Sequence, residues 1–245
     1  MKKGKNGFKI FLISLLGCVI ILVGISFIYL SDYYHSNQSL EEYQNVSSLS
    51  IEETDSVITI KGESSNGIGI IFYPGGKVEY TAYIPLLEKI ASEGYTCFLP
   101  KMPGNLAVLD SDKADEIIKE NKEIQTWYLA GHSLGGAMAS DYVGKHPEEV
   151  KGLILLGAYP IADLSKTEVA MLSVVGSLDE VVNRERLKSS KDFAPKNAIY
   201  KVIDGGNHAY YGDYGKQKGD GEAKITPEEQ LVETTTAIVD FCKNN

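Results

Sequence analysis

The hexapeptide Gly131-His132-Ser133-Leu134-Gly135-Gly136 lies between an apolar run, Trp127-Tyr128-Leu129-Ala130, and a run of small residues, Ala137-Met138-Ala139. Nothing else in the chain restricts its fold so strongly. A strand that turns straight into a helix around one serine bends so sharply that flanking side chains would collide, and the glycines remove the collision. The bend lifts the Ser133 hydroxyl clear of a sheet and aims the first N–H groups of the helix at whatever that hydroxyl meets. A G-x-S-x-G pattern also arises by chance in glycine- and serine-rich chains, so the surrounding sequence has to support it.

From about Val57 onward, strand-like and helix-like stretches alternate, which predicts a mostly parallel sheet with helices on both faces. Ile68-Gly69-Ile70-Ile71-Phe72-Tyr73 is a continuous apolar run of the kind buried on both sides. A strand at 57–60 precedes it, and others are expected at 95–100, 127–131, 152–156, 169–175 and 199–203. Helices are expected at 80–92, where Tyr83, Leu86, Leu87 and Ile90 share one stripe, and at 110–121, 134–145, 181–191 and 227–243. The gap between the strands at 152–156 and 169–175 leaves little room for a helical lid and predicts an open cleft.

The N-terminus follows a different pattern. Residues 10–30 are apolar and uncharged, and at 1.5 Å per residue they make a helix of roughly 31 Å, about the thickness of a bilayer's hydrocarbon core. Lys2, Lys3, Lys5 and Lys9 precede the run, and Asp32, Glu41 and Glu42 follow it. The reading is a cytoplasmic basic tail at 1–9, a transmembrane signal anchor at 10–30, a tether at 31–55 and an extracytoplasmic domain at 56–245. A cleavable signal peptide would want a small-residue site, which Phe27-Ile28-Tyr29-Leu30 does not offer. Leu15-Leu16-Gly17-Cys18 is a weaker lipoprotein alternative. For the Ser-, Asn-, Gln- and Glu-rich tether, the alternative is that part of it packs on the domain as an extra strand.

The net charge is −9, and the first 30 residues carry only positive groups, so the remainder is more acidic still. Such a body is repelled by nucleic acid and by anionic membrane surfaces, which leaves the N-terminal helix as the expected membrane contact. Cys18, Cys97 and Cys242 are odd in number and scattered, which favours neither a disulfide framework nor a metal site, and Cys97 reads as a small core residue.

A serine hydroxyl is a poor nucleophile near neutral pH. It needs an imidazole to take its proton and a carboxylate to orient that imidazole. The chain has four histidines. His35 lies in the tether, His132 in the elbow, where the turn directs its side chain away from the serine, and His146 at the end of the helix after the elbow. His208 follows the strand at 199–203, at the sheet edge where open α/β folds build their sites. Asp179 also stands just past a strand, with Asp163 as its rival, and Asp204 is too near His208 along the chain to reach its ring. For the oxyanion, Leu134 supplies one N–H, and the turn Pro74-Gly75-Gly76-Lys77 the other, with Gly76 the choice and Lys77 the alternative. The aromatics of Ala209-Tyr210-Tyr211-Gly212-Asp213-Tyr214 either wall a pocket or pack their loop on the sheet, and Met102-Pro103-Gly104-Asn105-Leu106 reads as another cleft loop. Asp213, Asp220 and Glu222 match no EF-hand spacing, so no metal site is assigned.

Across residues 68–245 the segments Phe72-Tyr73-Pro74-Gly75-Gly76, Gly131-His132-Ser133-Leu134-Gly135-Gly136, Gly176-Ser177-Leu178-Asp179 and Gly206-Asn207-His208 resemble the α/β-hydrolase superfamily. They look most like its small lidless bacterial members, related to the dienelactone hydrolase and carboxylesterase branch. The resemblance implies an eight-stranded-type sheet, a Ser133, Asp179 and His208 triad, and no cofactor. Two departures limit it: Pro74 stands where many relatives have histidine, and dienelactone hydrolases use a cysteine nucleophile, so a lactone substrate is not carried over. The expectation is a membrane-anchored serine hydrolase that cleaves small or polymer-borne acyl esters through an acyl-enzyme. Acyl transfer on the same scaffold and a non-catalytic surface binding module are the alternatives.

Overall fold

The structure, a computed structural model, describes residues 3–245; Met1 and Lys2, the latter counted in the basic tail, lie outside the described residues. The chain divides into an N-terminal unit ending at Tyr33 and a body, Tyr34–Asn245. The N-terminal unit is one helix, α1 (Lys3–Ser31), with apolar side chains such as Phe11, Ile20 and Ile28 exposed along it. Its segment Phe11–Ser31 is long and apolar enough to cross a membrane, a property that secretory signal sequences share.

The body is built on eight strands: β1 (Ser50–Glu53), β2 (Val57–Lys61), β3 (Ile68–Tyr73), β4 (Thr96–Pro100), β5 (Thr126–His132), β6 (Gly152–Leu156), β7 (Ala170–Gly176) and β8 (Ile199–Ile203). Their order across the sheet is β1-β2-β4-β3-β5-β6-β7-β8. The first two strands run antiparallel to their neighbours, and all pairings from β4 to β8 are parallel. This is the mostly parallel sheet expected from the alternating pattern, and the α/β-hydrolase fold that the resemblance implies.

Side-chain alternation sends Ile70, Phe72, Tyr128 and Ala130 to one face and Ile71, Tyr73, Trp127 and Leu129 to the other. The first face is covered by α3 (Ile84–Ser92) and α7 (Pro227–Lys243), the second by α4 (Lys113–Glu120) and α5 (Leu134–Lys145). A short α6 (Arg184–Ser189) follows the loop after β7. Cys97 lies fully buried in the first layer, where burial raises its thiol pKa well above the usual range. The connection from Leu156 to Ala170 carries no helix, in line with a minimal lid.

The expected tether departs from the sequence reading. Residues 34–53 are packed on the body. Tyr34 forms a parallel bridge to Val78, α2 (Leu40–Val46) buries Tyr43, and β1 pairs antiparallel with β2 and turns Ile51 inward. Three well-spaced apolar anchors are enough to dock a segment whose average composition is polar. A capping box was legible there: Ser39 accepts the Glu42 N–H, and Glu42 accepts the Ser39 N–H at 2.6 Å.

Candidate active site

The last residues of β5 run directly into α5, and Ser133 between them has φ 51 and ψ −120. A positive φ is costly for a residue with a side chain, by about 1–3 kcal/mol, and it persists only where packing over-determines it. Here the strand and helix fix both sides of the turn, and the Ser133 N–H donates to Leu156 O at 2.9 Å. Gly135 explains why the turn needs glycine: a Cβ there would stand 2.2 Å from Tyr73 O and 2.3 Å from Pro74 O. Leu134, the first residue of α5, has an N–H with no intrahelical acceptor.

His208 and Asp179 come together. His208 Nδ1 lies 2.8 Å from Asp179 Oδ2, with both side chains essentially fully buried. The carboxylate accepts, so Nδ1 carries the proton and Nε2 is left as the basic nitrogen. Nε2 is buried and has no hydrogen-bond partner among the described residues. Leaving such an atom unpaired costs about 1–3 kcal/mol, and His132 Nε2 is buried without a partner in the same way. Ser133 and His208 both line one cavity of about 230 Å³, whose other walls include Leu134, Ala137, Ala158, Val181 and Val182.

The loops bearing these groups are tied down in detail. Asp179 Oδ1 accepts the N–H groups of Val181 and Val182 at 3.0 and 2.8 Å, which aims Oδ2 at the histidine. Arg184 Nη2 donates to the carbonyls of Gly176, Ser177 and Asp179 at 3.0, 3.1 and 2.7 Å. Gln230, from α7, accepts Asn207 N–H at 2.9 Å and donates to Asn207 O at 2.8 Å, so the residue before His208 is clamped on both sides. Asp220 accepts Ala209 N–H at 2.8 Å. Arg184, Gln230 and Asp220 were not reached by sequence reasoning as parts of this site, because each acts through backbone groups that no motif marks.

On the oxyanion side, Lys77 N–H donates to Asn105 O at 2.8 Å, which removes Lys77 as the second donor. Gly76 N–H donates to no acceptor among the described residues, and a Cβ on Gly76 would meet Leu134 Cδ2 at 2.7 Å, so the turn packs against the Leu134 side chain. Asn105 belongs to the loop expected to line the cleft; it braces this turn instead, with φ 56. Asp163 is bound to Ser165 in its own exposed turn, its carboxyl held below the usual range chiefly by the Ser165 side-chain hydrogen bond, and is no rival to Asp179. His146 caps α5 and stacks on Tyr142 at 4.7 Å.

His132 departs from the sequence reading. Its ring does not simply point away from the site; it packs 4.5 Å from the His208 ring, between centroids, and its Nδ1 lies 2.8 Å from Tyr83 Oη. Tyr83 Oη already accepts Gly75 N–H at 3.0 Å, so its own hydrogen goes to His132 Nδ1. Burial, and after it the adjacent His208, hold the His132 pKa well below its ordinary value. Of the aromatics after His208, Tyr211 and Tyr214 are buried in the core, and Tyr211 Oη donates to Val174 O at 3.1 Å, so they pack the loop on the sheet. Asp213 and Asp220 are occupied by hydrogen bonds from side chains or backbone, and Glu222 pairs with Lys216 at 3.6 Å.

Comparison with known proteins agrees with the fold. The model of a family described as "Alpha/beta hydrolase family" matches residues 69–232. A curated pyrethroid hydrolase from Sphingobium wenxiniae is 27% identical over 169 residues, which cover 65% of this chain and 57% of that protein. The chain thus matches a little over half the length of that relative. Among solved structures, a monoacylglycerol lipase from Paleococcus ferrophilus superposes with a TM-score of 0.59 at 13% identity, covering 77% of this chain and 100% of that one. Est1E from Butyrivibrio proteoclasticus does so with a TM-score of 0.57 at 15% identity, covering 80% and 100%. At such identities these two structures speak for the fold alone.

Proposed function

The chain belongs to the alpha/beta hydrolase family, and from that premise we propose that it is a serine hydrolase cleaving carboxylic esters through an acyl-enzyme. One observation carries the reading: a buried imidazole, held at Nδ1 by a carboxylate at 2.8 Å, keeps Nε2 unpartnered beside the cavity that Ser133 lines. Ser133 Oγ attacks the ester carbonyl carbon, and its proton passes to His208 Nε2. The oxyanion accepts hydrogen bonds from Leu134 N–H and Gly76 N–H, groups fixed in place before charge develops. Collapse breaks the bond to the leaving alkoxide, which takes the proton from Nε2. A water, giving a proton to His208 Nε2, then attacks the acyl carbon, and as the bond to Ser133 Oγ breaks that proton returns to Oγ and the carboxylic acid leaves. Asp179 stays ionised throughout and holds the ring in one tautomer.

The cavity's small volume and its apolar walls, Leu134, Ala137, Ala158, Val181 and Val182, favour a short acyl group over a long chain. The curated relative is named a pyrethroid hydrolase, which supports hydrolysis over acyl transfer. The exposed apolar surface of α1 supports retention in the cell membrane by that helix, with Lys3, Lys5 and Lys9 inside and the body outside. A carbonate wash followed by N-terminal mass mapping tests this, since loss of residues 1–30 from the mature protein would sink the anchor.

The activity is tested on the full chain in detergent with a fluorophosphonate probe and short p-nitrophenyl esters. Wild type is expected to be labelled and to turn over, and Ser133→Ala is expected to lose both. Labelling that survives Ser133→Ala overturns the nucleophile, and an unlabelled, inactive wild type favours the binding module.

A further inference from the structure

The segment between α1 and β1 makes more polar contacts with the site's loops than docking alone requires. Tyr34 N–H donates to Lys77 O and Glu79 N–H donates to Tyr34 O, both at 2.8 Å, so Tyr34 clips the chain leaving the Gly75-Gly76 turn. Ser36 N–H donates to Glu79 Oε2 at 3.1 Å on the same side. The same segment also reaches the loop after His208. Lys218 N–H donates to Tyr34 Oη at 3.0 Å, and the Tyr34 and Tyr214 rings pack 5.6 Å apart. Asn37 N–H donates to Asp213 O at 2.9 Å, and Asn37 Nδ2 donates to Asp213 Oδ1 at 2.6 Å. Tyr43 Oη donates to Asp213 Oδ2 at 3.0 Å. Both oxygens of this carboxylate are therefore held by residues that precede β1, and charge-assisted bonds are about twice as strong as neutral ones.

Both loops so gripped, though tied down beside His208 and at Lys77, are rich in glycine. The base loop carries Gly212, Gly215 and Gly219, and the oxyanion turn carries Gly75, Gly76 and a Lys77 with φ 60. Asp213 N–H reaches across to Ala82 O at 2.7 Å, just after the oxyanion turn, so one fastening serves both. We propose that Tyr34–Tyr43 is a strap that sets the base loop and the oxyanion turn against each other, with Asn37 and Tyr43 acting as positioning residues through Asp213. The proposal rests on the hydrolase reading for its catalytic consequence, while its mechanical part stands by itself. A reacting geometry loosened by about 1 Å can cost up to 100-fold in rate, so a partial release is expected to be visible in turnover.

The test uses the full chain in detergent and the double variant Asn37→Ala/Tyr43→Phe, with Tyr43→Phe alone as the milder form. Hydrogen exchange of peptides covering 209–218 is expected to speed up, kcat on a short p-nitrophenyl ester to fall about tenfold and KM to stay within about twofold, because strapped groups act in the transition state. A purely structural role would lower thermal stability and active fraction together and leave kcat per labelled site unchanged. The exchanged pair Asn37→Asp/Asp213→Asn rebuilds the contact with roles reversed and is expected to restore kcat, whereas Asn37→Asp alone sets two carboxylates together and lowers it further. Faster exchange with unchanged kcat overturns the positioning role, as does a kcat loss that the exchanged pair does not relieve. Should wild type hydrolyse no ester, the functional reading fails and exchange alone decides the strap: unaltered protection of 209–218 in the double variant overturns it.

Discussion

Two buried imidazoles sit side by side at this sheet edge, and their surroundings differ in one decisive respect. His132 and His208 are each about 1% exposed, and each has a partner 2.8 Å from Nδ1. For His132 the partner is the Tyr83 phenol, which burial keeps neutral by raising its pKa well above the ordinary value. For His208 it is the Asp179 carboxylate. A neutral donor fixes a ring without supporting a positive charge on it, whereas a carboxylate does both. Burial disfavours imidazolium at His132, and only the ring of His208 has a carboxylate beside it. On the proposed reading neither depth nor nearness to the serine in sequence picks out the base: His132 is the residue next to Ser133, and His208 is the one with a carboxylate at Nδ1.

The contrast predicts unequal losses. His208→Ala is expected to lower kcat on a short ester by on the order of 10⁴ to 10⁶, the range seen when a triad base is removed. His132→Asn, which keeps an acceptor near the Nδ1 position, is expected to cost about tenfold or less, the scale of one rearranged hydrogen bond. Comparable losses at the two positions break the comparison. The partners follow in the same proportion. Asp179→Asn is expected to lower kcat by about 10⁴, since the amide donates to Nδ1 and imposes the wrong tautomer. Tyr83→Phe leaves Gly75 N–H and His132 Nδ1 unpaired, which lowers stability by about 1–3 kcal/mol while most of the activity stays. Paired steady-state assays and thermal melts separate the two.

The same contrast explains what the sequence did and did not reveal. That Ser133, Asp179 and His208 stand at one sheet edge was legible because each follows a strand, β5, β7 and β8, and β3, β6 and β8 have the bounds their apolar runs imply. The helix expected at 181–191 is shorter, Arg184–Ser189, because Val181 and Val182 spend their N–H groups on Asp179 and Asn183 supplies the cap. The helix expected at 80–92 opens as a 3₁₀ turn at Tyr80–Tyr83, which places the Tyr83 hydroxyl toward the elbow. Tyr83 and His132 are 49 residues apart, and no local periodicity encodes their meeting. The docking of 34–53 was hidden for a related reason: its anchors are few, and their partners are distant in the chain.

Each histidine pair is also backed by a glycine, which allows a subtler perturbation. A Cβ on Gly157, whose φ is +52, would stand 2.9 Å from His208 Nδ1 and 3.1 Å from Asp179 Oδ2. A Cβ on Gly75 would stand 2.6 Å from Tyr83 Oη and 2.8 Å from His132 Nδ1. Gly157→Ala is expected to displace the base and its carboxylate together and to lower kcat about 100-fold. Gly75→Ala strains the neutral pair and is expected to appear mainly as lost stability, with a smaller drop in kcat passed on through Gly76. The opposite order, measured as kcat against melting temperature, would place the functional weight on His132.

The smallest expected effect concerns protons in the ground state. The His132 pKa is depressed in the folded protein, first by burial and then by His208, so below the ordinary value near 6.5 the unfolded chain binds a proton that the folded one refuses. Stability therefore rises with pH across that interval: His132 subtracts nothing well above pH 6.5, and its contribution worsens by about 1.4 kcal/mol per pH unit as pH falls below it. The loss continues down to the folded-state pKa and then levels off. Carboxylates elsewhere add their own slope at the acid end, so the quantity to compare is the difference between wild type and His132→Asn. Denaturant unfolding from pH 7.5 to 5 is expected to show a shallower fall for the variant, with the gap opening below pH 6.5. Parallel curves would mean that His132 takes up its proton in the folded state, and that the phenol beside it tolerates a charge on the ring.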